Sequence, residues 1–352
     1  MNQEAILSTI PVLIIIEIIE ETAGVKTFRL APNEGETLDY SAGQFLTMEH
    51  PFAGQIYRRS YSFSSCPDVD EQPAITVKRV GNGIASRWLI DEAKVGDQIN
   101  SHSRANGVFT LPDEEDSPDS IWLFAAGIGI TPIFSLLKEA LFKGSSNVVL
   151  VYSNHSKEST VFLEEIAALE NDFKERFSVL WLWSNAVNLL QARLSRESFS
   201  MLLKPVWPKN LERVLCFICG PKSYMWMTQL LLEDAGIPAE HIRREAFQTR
   251  EIVHDYLPAD KESHKVTIEI NSQEISFTNL YPTSILDSAL ALGIQLPYSC
   301  KTGQCGACTA ICTQGKVWMS YNEVLTEKDL KKGRILTCKG HAVDGDIRLQ
   351  FS

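Results

Sequence analysis

The stretch CKTGQCGAC, residues 300–308, places three cysteines within nine residues. A fourth cysteine, Cys338 in RILTCKG, gives the spacing C-x4-C-x2-C with 29 residues before the last thiol. Gly303 and Gly306 let the backbone of this loop wrap closely around a bound group and direct amide hydrogens at its sulfurs. The predicted ligands of that group are Cys300, Cys305, Cys308 and Cys338.

This spacing is the one that plant-type ferredoxins use for a [2Fe–2S] cluster. Residues 265–352 resemble those ferredoxins in both motif and strand pattern. The alternative is a structural zinc ion, whose four cysteines usually come from two C-x2-C knuckles, and only one such short pair is present among these four cysteines. The resemblance implies a β-grasp-like α+β domain with a [2Fe–2S] cluster, and Cys66 and Cys312 are interpreted as bystander thiols.

The composition is that of an ordinary globular chain with more than one domain. Its 352 residues exceed the size of one usual core, and 44% of them are hydrophobic. The formal net charge of −11 argues against a nucleic-acid partner, because affinity for a phosphate backbone depends on basic side chains, and favours a basic or cationic partner.

The most apolar stretch, IPVLIIIEIIEE at residues 10–21, carries Glu17 and Glu20. It is shorter than the roughly 20 apolar residues that cross a bilayer, so we predict a buried strand and no membrane insertion. We recognise no secretory signal peptide and therefore expect a reducing cytoplasm, in which eight cysteines are metal ligands or free thiols.

The pattern of elements changes twice along the chain. Strand-like runs separated by turn residues indicate a small antiparallel barrel in residues 1–113. Strands that alternate with helices indicate an α/β domain with a parallel sheet in residues 114–247. Residues 248–264 are polar without an apolar period and are predicted to be a linker, before strand signals return in residues 265–352.

The barrel segment contains YRRSYSFSS, residues 57–65, with the pattern R-x-Y-S from Arg59 to Ser62. A flavin needs a cation for its phosphates, a flat aromatic side chain against its ring, and a small donor near N5. These positions on one strand supply all three. The alternative is a surface arginine beside a packed tyrosine.

Two further segments follow in order. VKRVGNGIASRWL, residues 77–89, frees the backbone at Gly81 and Gly83 and enters a predicted helix, whose first amides suit a phosphate. ANGVFTLP, residues 105–112, contains another glycine turn. Together the three segments resemble the flavin domain of the ferredoxin–NADP reductase family, in its FAD-binding rather than FMN-binding form. The resemblance implies that FAD is bound by Arg59, Ser60, Tyr61, Ser62, Lys78, Gly83, Ile84, Ala85 and Ser86.

AAGIGITP, residues 125–132, follows a predicted strand and opens a helix, but it lacks the third glycine of the dinucleotide fingerprint. Taken alone it could be a packing turn. It resembles the pyridine-nucleotide turn of the same family, and CGPKSYM, residues 219–225, resembles the second nucleotide motif. The implied nucleotide-binding residues are Gly127, Gly129, Thr131, Pro132, Cys219, Gly220 and Pro221.

REAF, residues 244–247, resembles the place where the family brings an acid and an aromatic side chain beside the flavin. The resemblance therefore implies a catalytic set of Ser62, Cys219, Glu245 and Phe247. The spacing of CFIC, residues 216–219, is that of a redox dithiol, but alternation along a strand would point Cys216 and Cys219 to opposite faces.

Asn185 follows the third predicted strand of the α/β domain, where phosphate-binding relatives tend to place an arginine. A 2′-phosphate calls for Arg or Lys after the second and third strands of the sheet; His155 and Lys157 follow the second strand, but the third is followed by Asn185. We therefore expect NADH to be the electron donor rather than NADPH.

The order of a flavin domain, a nicotinamide domain and a cluster domain resembles that of the reductase components of multicomponent oxygenases. The sequence itself is most similar to the reductases of the 3-ketosteroid 9α-hydroxylase group. A hydride carries two electrons and the cluster accepts one, so the flavin converts between them. The resemblance implies a Rieske-type terminal oxygenase as the acceptor, with a steroid or another hydrophobic substrate. We expect that acceptor to dock at an exposed rim of the loop, residues 301–307. The alternatives are the reductase of a diiron monooxygenase and a general NAD(P)H:acceptor flavoprotein.

Overall fold

A computed structural model describes residues 12–33, 37–112, 117–203, 206–208, 210–247, 257–270 and 273–351. The chain divides into two compact units. The larger unit takes the described residues up to 247 apart from 106–108, and the C-terminal unit takes 106–108 together with the described residues from 257 onward. Half of the predicted linker, residues 248–256, lies outside the described residues.

Six antiparallel strands form the first sheet of the larger unit, in the order β4-β3-β6-β1-β2-β5. At its two edges, Phe63 after β4 pairs with Ile75 of β5, and the amide of Ser64 donates to the carbonyl of Ala74 at 2.9 Å. The sheet therefore closes on itself as the predicted barrel. Its elements are β1 (Val12–Thr22), β2 (Val25–Pro32), β3 (Phe45–Phe52), β4 (Gln55–Ser62), β5 (Ala74–Lys78), the short helix α1 (Ile84–Arg87) with a π-helical turn (Trp88–Glu92), and β6 (Gln98–Ser101).

The apolar stretch near the N-terminus is the barrel strand β1. Leu13 and Ile15 are fully buried in the barrel core, whereas Glu17 points outward and pairs with Arg29 of β2 at 2.6 Å. This alternation is the pattern of a strand with one buried face. In the described part of the chain, no helix has the length and apolar character needed to cross a membrane.

Five parallel strands form the second sheet, in the order β11-β10-β7-β8-β9. Separate hydrophobic clusters cover its two faces, as expected when helices pack on both sides of a parallel sheet. The elements are β7 (Ser120–Ala126), α2 (Ile130–Phe142), β8 (Asn147–Asn154), α3 (Leu163–Asp172), β9 (Phe177–Trp183), α4 (Leu189–Ala192), α5 (Arg196–Leu203), β10 (Val214–Cys219), α6 (Lys222–Asp234) and β11 (Ile242–Glu245).

The carboxyl ends of these parallel strands lie at one edge of the sheet. Ala126, Cys219 and Glu245 end the three adjacent strands β7, β10 and β11. Loops that follow such strand ends are where open α/β sheets bind their ligands. The segments predicted to bind the nucleotide therefore start side by side.

The C-terminal unit contains a third sheet, in the order β13-β12-β16-β14-β15. The pairing of β12 with β16 is parallel and the other pairings are antiparallel. Helix α7 packs on this sheet through Ile285, Leu286 and Ala289, which confirms the predicted α+β class. The elements are β12 (His264–Ile270), β13 (Gln273–Asn279), α7 (Ile285–Ala291), β14 (Thr309–Met319), α8 (Glu327–Lys331), β15 (Arg334–Leu336) and β16 (Gly340–Gln350).

Leu123 lies in the central strand of the parallel sheet and is fully buried. We expect Leu123→Ala to lower the free energy of unfolding of the larger unit by about 2–5 kcal/mol, because the cavity is only partly refilled. Urea denaturation followed by tryptophan fluorescence measures this, since Trp318 alone of the seven tryptophans lies outside that unit.

Leu189→Ala is the matched control, because Leu189 is 84% exposed and should change the stability by no more than about 0.5 kcal/mol. Equal urea midpoints for the two variants would contradict the assignment of Leu123 to the core.

Candidate functional site

Strand β4 carries the pattern predicted to bind the flavin. Arg59 and Tyr61 are two residues apart and share one face of the strand. Arg58, on the other face, pairs with Glu49 at 2.8 Å. Arg59 is exposed and forms no ion pair with any residue that the structure describes; it donates only to the carbonyl of Arg58, at 2.6 Å. Its guanidinium is available for an anionic group.

The other two positions of the motif are held by the barrel. Tyr61 packs against the barrel core, and burial raises the pKa of its phenol to about 12. Ser60 Oγ lies 3.0 Å from Thr47 Oγ1 of β3. A neutral aromatic ring fixed in this way presents a rigid flat surface to a ligand ring.

The second predicted segment forms a tight turn into α1, which contacts β4. A Cβ atom on Gly83 would collide with Ser86 Oγ. Ser86 Oγ accepts from the amide of Val80 at 3.2 Å and donates to the carbonyl of Gly83 at 3.4 Å. The turn is thus closed by Ser86, and Lys78 ends β5 just before it as an exposed cation.

The two predicted nucleotide loops contact each other through their backbones. A Cβ atom on Gly129 would collide with the carbonyl of Cys219, and one on Gly220 would lie 2.9 Å from the Cβ atom of Ala126. Gly127 has φ of +54° and open space around it. Glycine is therefore required at these positions by close approach or by the backbone angle.

The turn then passes directly into α2. Thr131 is buried, and its Oγ1 donates to the carbonyl of Ile128 at 3.1 Å. Pro132 occupies the first turn of the helix, where its missing amide hydrogen costs nothing.

Three of the four predicted catalytic residues come together at strand ends. Ser62 ends β4, Cys219 ends β10 and Glu245 ends β11. Ser62 Oγ donates to Glu245 Oε2 at 3.0 Å, and Cys219 lies directly opposite Glu245 in the parallel register. All three are buried, whereas Phe247 is 45% exposed.

Burial sets the protonation states of Glu245 and Cys219. It raises the pKa of Glu245 to about 8, against a smaller opposing effect of the hydrogen bond from Ser62. Burial, and then the nearby charge of Glu245, raise the pKa of the Cys219 thiol well above its usual value. At neutral pH, Glu245 is therefore mostly a neutral carboxylic acid and Cys219 is a thiol.

The two cysteines of CFIC do not form a dithiol site. Cys216 packs into the hydrophobic cluster on one face of the parallel sheet and Cys219 into the cluster on the other face. Strand alternation accounts for this placement.

The ends of β8 and β9 form a second group of polar residues. His155 Nδ1 lies 3.2 Å from Ser184 Oγ, and the amide of Asn185 donates to the carbonyl of His155 at 3.1 Å. The side chains at this position carry hydroxyl, amide and imidazole groups, which can bind a sugar hydroxyl without a guanidinium.

Four of the five thiols in the described part of the C-terminal unit form two pairs. The thiol of Cys300 lies beside that of Cys305, and the thiol of Cys308 lies beside that of Cys338. Among the described residues, no three Cys, His, Asp or Glu side chains converge on the position of one ion. Two thiol pairs suit a cluster with two irons and four cysteine ligands.

Backbone amides also point at the first pair. The pKa of Cys300 is held below its usual value by the thiol of Cys305 and by the amides of Thr302, at 3.3 Å, and Gln304. Gly303 and Gly306 have φ of +78° and +74°, the left-handed conformation that wraps the loop in this way.

The expectation that residues 301–307 form an exposed rim is wrong for most of these residues. Lys301 is exposed and pairs with Asp287 at 2.8 Å. Thr302 and Gln304 are 9% and 4% exposed, and Gly303, Gly306 and Ala307 are also buried. Small residues here serve close packing rather than access.

Several residues around this loop escaped sequence reasoning. Gln304 donates to Glu323 at 2.6 Å, Tyr321 donates to the same carboxylate oxygen at 2.7 Å, and Asn106 donates to the carbonyl of Ala307 at 2.8 Å. Asn106 is some 200 positions away from its partner, and no motif links the two. Only the polar character of Gln304 inside a glycine-rich loop hinted at a buried partner.

Three domain families match the chain in succession. The family described as an oxidoreductase FAD-binding domain matches residues 13–106. An oxidoreductase NAD-binding domain matches residues 123–229, and a 2Fe-2S iron-sulfur cluster binding domain matches residues 268–342. The cofactors of this chain are therefore FAD, NADH and a [2Fe–2S] cluster.

Curated relatives match over nearly the full length. The ferredoxin reductase component of 3-ketosteroid-9-alpha-monooxygenase from Mycolicibacterium smegmatis is 32% identical, over 100% of this chain and 99% of that protein. Its counterpart from Rhodococcus rhodochrous is 33% identical, over 97% and 96%. The glycine betaine monooxygenase reductase subunit of Pseudomonas aeruginosa strain UCBPP-PA14 is 30% identical, over 96% and 94%.

Solved structures share the fold. Phthalate dioxygenase reductase aligns over 97% of both chains, with a TM-score of 0.59 and 23% identity. An intact type IV self-sufficient cytochrome P450 monooxygenase aligns over 97% of this chain and 41% of that chain, with a TM-score of 0.71 and 20% identity. The chain thus belongs to the family of electron-transfer oxidoreductases that combine FAD, NAD and [2Fe–2S] domains as the reductase components of oxygenase systems.

Proposed function

We propose that this reductase takes hydride from NADH and delivers single electrons to a Rieske-type terminal oxygenase. The observation that carries the proposal is the convergence of Ser62, Cys219 and Glu245 where strands of both sheets of the larger unit end. The proposed domains are FAD-binding (1–113), NADH-binding (114–247), linker (248–264) and cluster-binding (265–352).

The residues of the barrel fit FAD. Arg59, which forms no ion pair with the residues that the structure describes, suits a diphosphate, and Tyr61 offers a fixed ring surface. When bound, FAD supplies the conversion of a two-electron hydride into single electrons. The proposed FAD-binding set is Arg59, Ser60, Tyr61, Ser62, Lys78, Gly83, Ile84, Ala85 and Ser86.

The strand ends of the parallel sheet fit the nicotinamide nucleotide. The contact of Gly129 with Cys219 brings the first nucleotide loop against the second, so one ligand reaches both. The proposed set is Gly127, Gly129, Thr131, Pro132, Cys219, Gly220 and Pro221.

In this proposal Ser62 and Cys219 orient the nicotinamide for hydride transfer, which depends on close alignment of the reacting atoms. Glu245 holds the Ser62 hydroxyl in place through the 3.0 Å hydrogen bond. Burial of all three excludes water from the reaction. Phe247, half exposed after β11, is proposed to cover the flavin side of the site.

Cys300, Cys305, Cys308 and Cys338 are proposed as the cluster ligands. Their arrangement as two thiol pairs supports this, as do the amides of Thr302 and Gln304, which donate to Cys300. Amide donors stabilise thiolate sulfur and so favour metal ligation over a neutral thiol.

The proposed Rieske type of the partner rests on the sequence resemblance to the 3-ketosteroid 9α-hydroxylase reductases, and the names of the relatives support an oxygenase partner in general. Two of them are named for oxygenases of different substrates, a 3-ketosteroid and glycine betaine. The substrate of the partner is therefore set by the oxygenase, and a steroid is one candidate. The net charge of −11 favours a partner with a basic docking face.

Reconstitution tests the proposed function. We expect purified reductase, NADH and a Rieske oxygenase from the same cell to form hydroxylated product at a rate that depends on all three, with NADPH several-fold less effective. Product analysis and NADH consumption give the coupling. If the protein reduced only artificial acceptors and no such oxygenase turned over, the proposed oxygenase partner would be refuted and only a general NADH:acceptor activity would remain.

We expect Cys305→Ser to abolish the cluster while the flavin is still reduced by NADH, because only the C-terminal unit loses a ligand. Iron, acid-labile sulfide and stopped-flow flavin absorbance measure the two effects. Cys312→Ser is the control, since Cys312 lies on β14 and its thiol donates a hydrogen bond to the carbonyl of Gln314 at 3.3 Å. Iron and sulfide that survive in Cys305→Ser would refute the ligand set.

The pKa of Glu245, raised to about 8 by burial, predicts a pH dependence of flavin reduction. Below pH 8 the side chain is mostly neutral, and above it a carboxylate forms beside the place where hydride arrives. We expect the rate of flavin reduction to fall as the pH rises through about 8, because like charge opposes the transfer.

Glu245→Gln keeps a neutral side chain at every pH and should flatten this profile between pH 6 and 9. Stopped-flow reduction at saturating NADH measures it. A variant profile with the same midpoint as the wild type would remove Glu245 from the explanation.

A further inference from the structure

A buried side chain of the cluster loop is bound by a carboxylate from outside the loop. Gln304 is 4% exposed, and its Nε2 donates to Glu323 Oε2 at 2.6 Å. The hydroxyl of Tyr321 donates to the same oxygen at 2.7 Å. Two donors thus fix the position of this carboxylate, which stays next to the loop.

The backbone holds the same two segments together. The amide of Glu323 donates to the carbonyl of Gly303 at 3.1 Å. A Cβ atom on Gly303 would lie 2.9 Å from the carbonyl oxygen of Tyr321, so only glycine permits this approach. The segment around Glu323 is therefore registered against the loop by both side-chain and backbone contacts.

Gln304 connects the carboxylate to a ligand sulfur. Its side chain bonds Glu323, its backbone amide donates to Cys300 Sγ, and it directly precedes Cys305 in the chain. The hydrogen bond to Glu323 therefore restrains the same residue whose backbone amide donates to the sulfur. Hydrogen bonds to cluster sulfurs and nearby charge are both determinants of the reduction potential.

The charge of Glu323 is not cancelled by a salt bridge. Lys301 is paired with Asp287 at 2.8 Å, and Arg334 with Asp329 at 3.1 Å. No lysine or arginine in the described ranges lies within ion-pair distance of Glu323, which bonds only neutral donors. Among the described residues, the Glu323 carboxylate therefore lies beside the first thiol pair without a direct ion pair.

We propose that Glu323 is a positioning residue that lowers the reduction potential of the cluster, through its charge and its hold on Gln304. The proposal rests on the ligand set proposed above. The affected step is a one-electron reduction by the flavin of the same chain, in which no covalent bond forms or breaks. A negative charge beside the thiol pair disfavours the added electron and makes the reduced cluster a stronger donor to its acceptor.

The test is a potentiometric titration of the full-length holoprotein, with the reduced cluster followed by electron paramagnetic resonance. Glu323→Gln keeps the shape and an acceptor oxygen but removes the charge. We expect the ratio of reduced to oxidised cluster at a fixed potential to rise about three- to tenfold, which is ~30–60 mV at the one-electron constant. The flavin potential should not move.

Glu327→Gln is the matched control, because it removes the same charge from an exposed position four residues further along. Equal potentials in Glu323→Gln and Glu327→Gln, with cluster content intact, would overturn the proposal. A purely structural brace would change cluster content or stability and leave the potential unmoved.

Tyr321→Phe is the second variant, in case Glu323→Gln assembles no cluster. It removes one donor from the carboxylate and leaves the charge less dispersed, so we expect a lower potential than in the wild type. An unchanged potential in this variant would overturn the proposal by itself. Iron and sulfide counts in every sample separate these outcomes from a failure of the ligand set, which Cys305→Ser tests.

Discussion

The hydrogen bond from Ser62 to Glu245 joins the end of a barrel strand to the end of a parallel strand. The two residues are separated by 183 positions, so the site exists only when both sheets of the larger unit are formed. Because the bond is buried, its loss would leave two polar groups without water, at a cost of about 1–3 kcal/mol for each. Folding and assembly of the site are therefore one event.

Close contact between the backbones of two loops of the parallel sheet also shapes the site around the hydrogen bond from Ser62 to Glu245. The glycines at 129 and 220 allow the loops after β7 and β10 to touch, and the parallel pairing of β10 with β11 places Cys219 opposite Glu245. A side chain larger than a hydrogen atom at either glycine would push these loops apart. The chemistry of the site thus depends on residues that contribute no functional group of their own, a frequent role of glycine near ligands.

The sequence predicted the parts of the protein that local patterns encode. The cysteine spacing, the R-x-Y-S strand and the glycine turns each depend on neighbours in the chain, and the three domain classes follow from them. The contact between Gln304 and Glu323 could not be predicted, because it joins a loop to a segment 19 residues away through side chains of common type. Burial of most of the residues from 302 to 307 also depends on what packs over the loop. The protonation of Glu245 is likewise a property of the assembled core.

The burial of Cys219 has a consequence for chemical durability. Oxidants and alkylating agents attack the thiolate, and burial keeps this sulfur in its protonated form and out of reach of solvent. Its nearest cysteine along the strand faces the opposite side of the sheet, so no disulfide can form between them. A protein that works alongside oxygen-activating enzymes thereby keeps a sulfur at its proposed coenzyme site that peroxide does not readily consume.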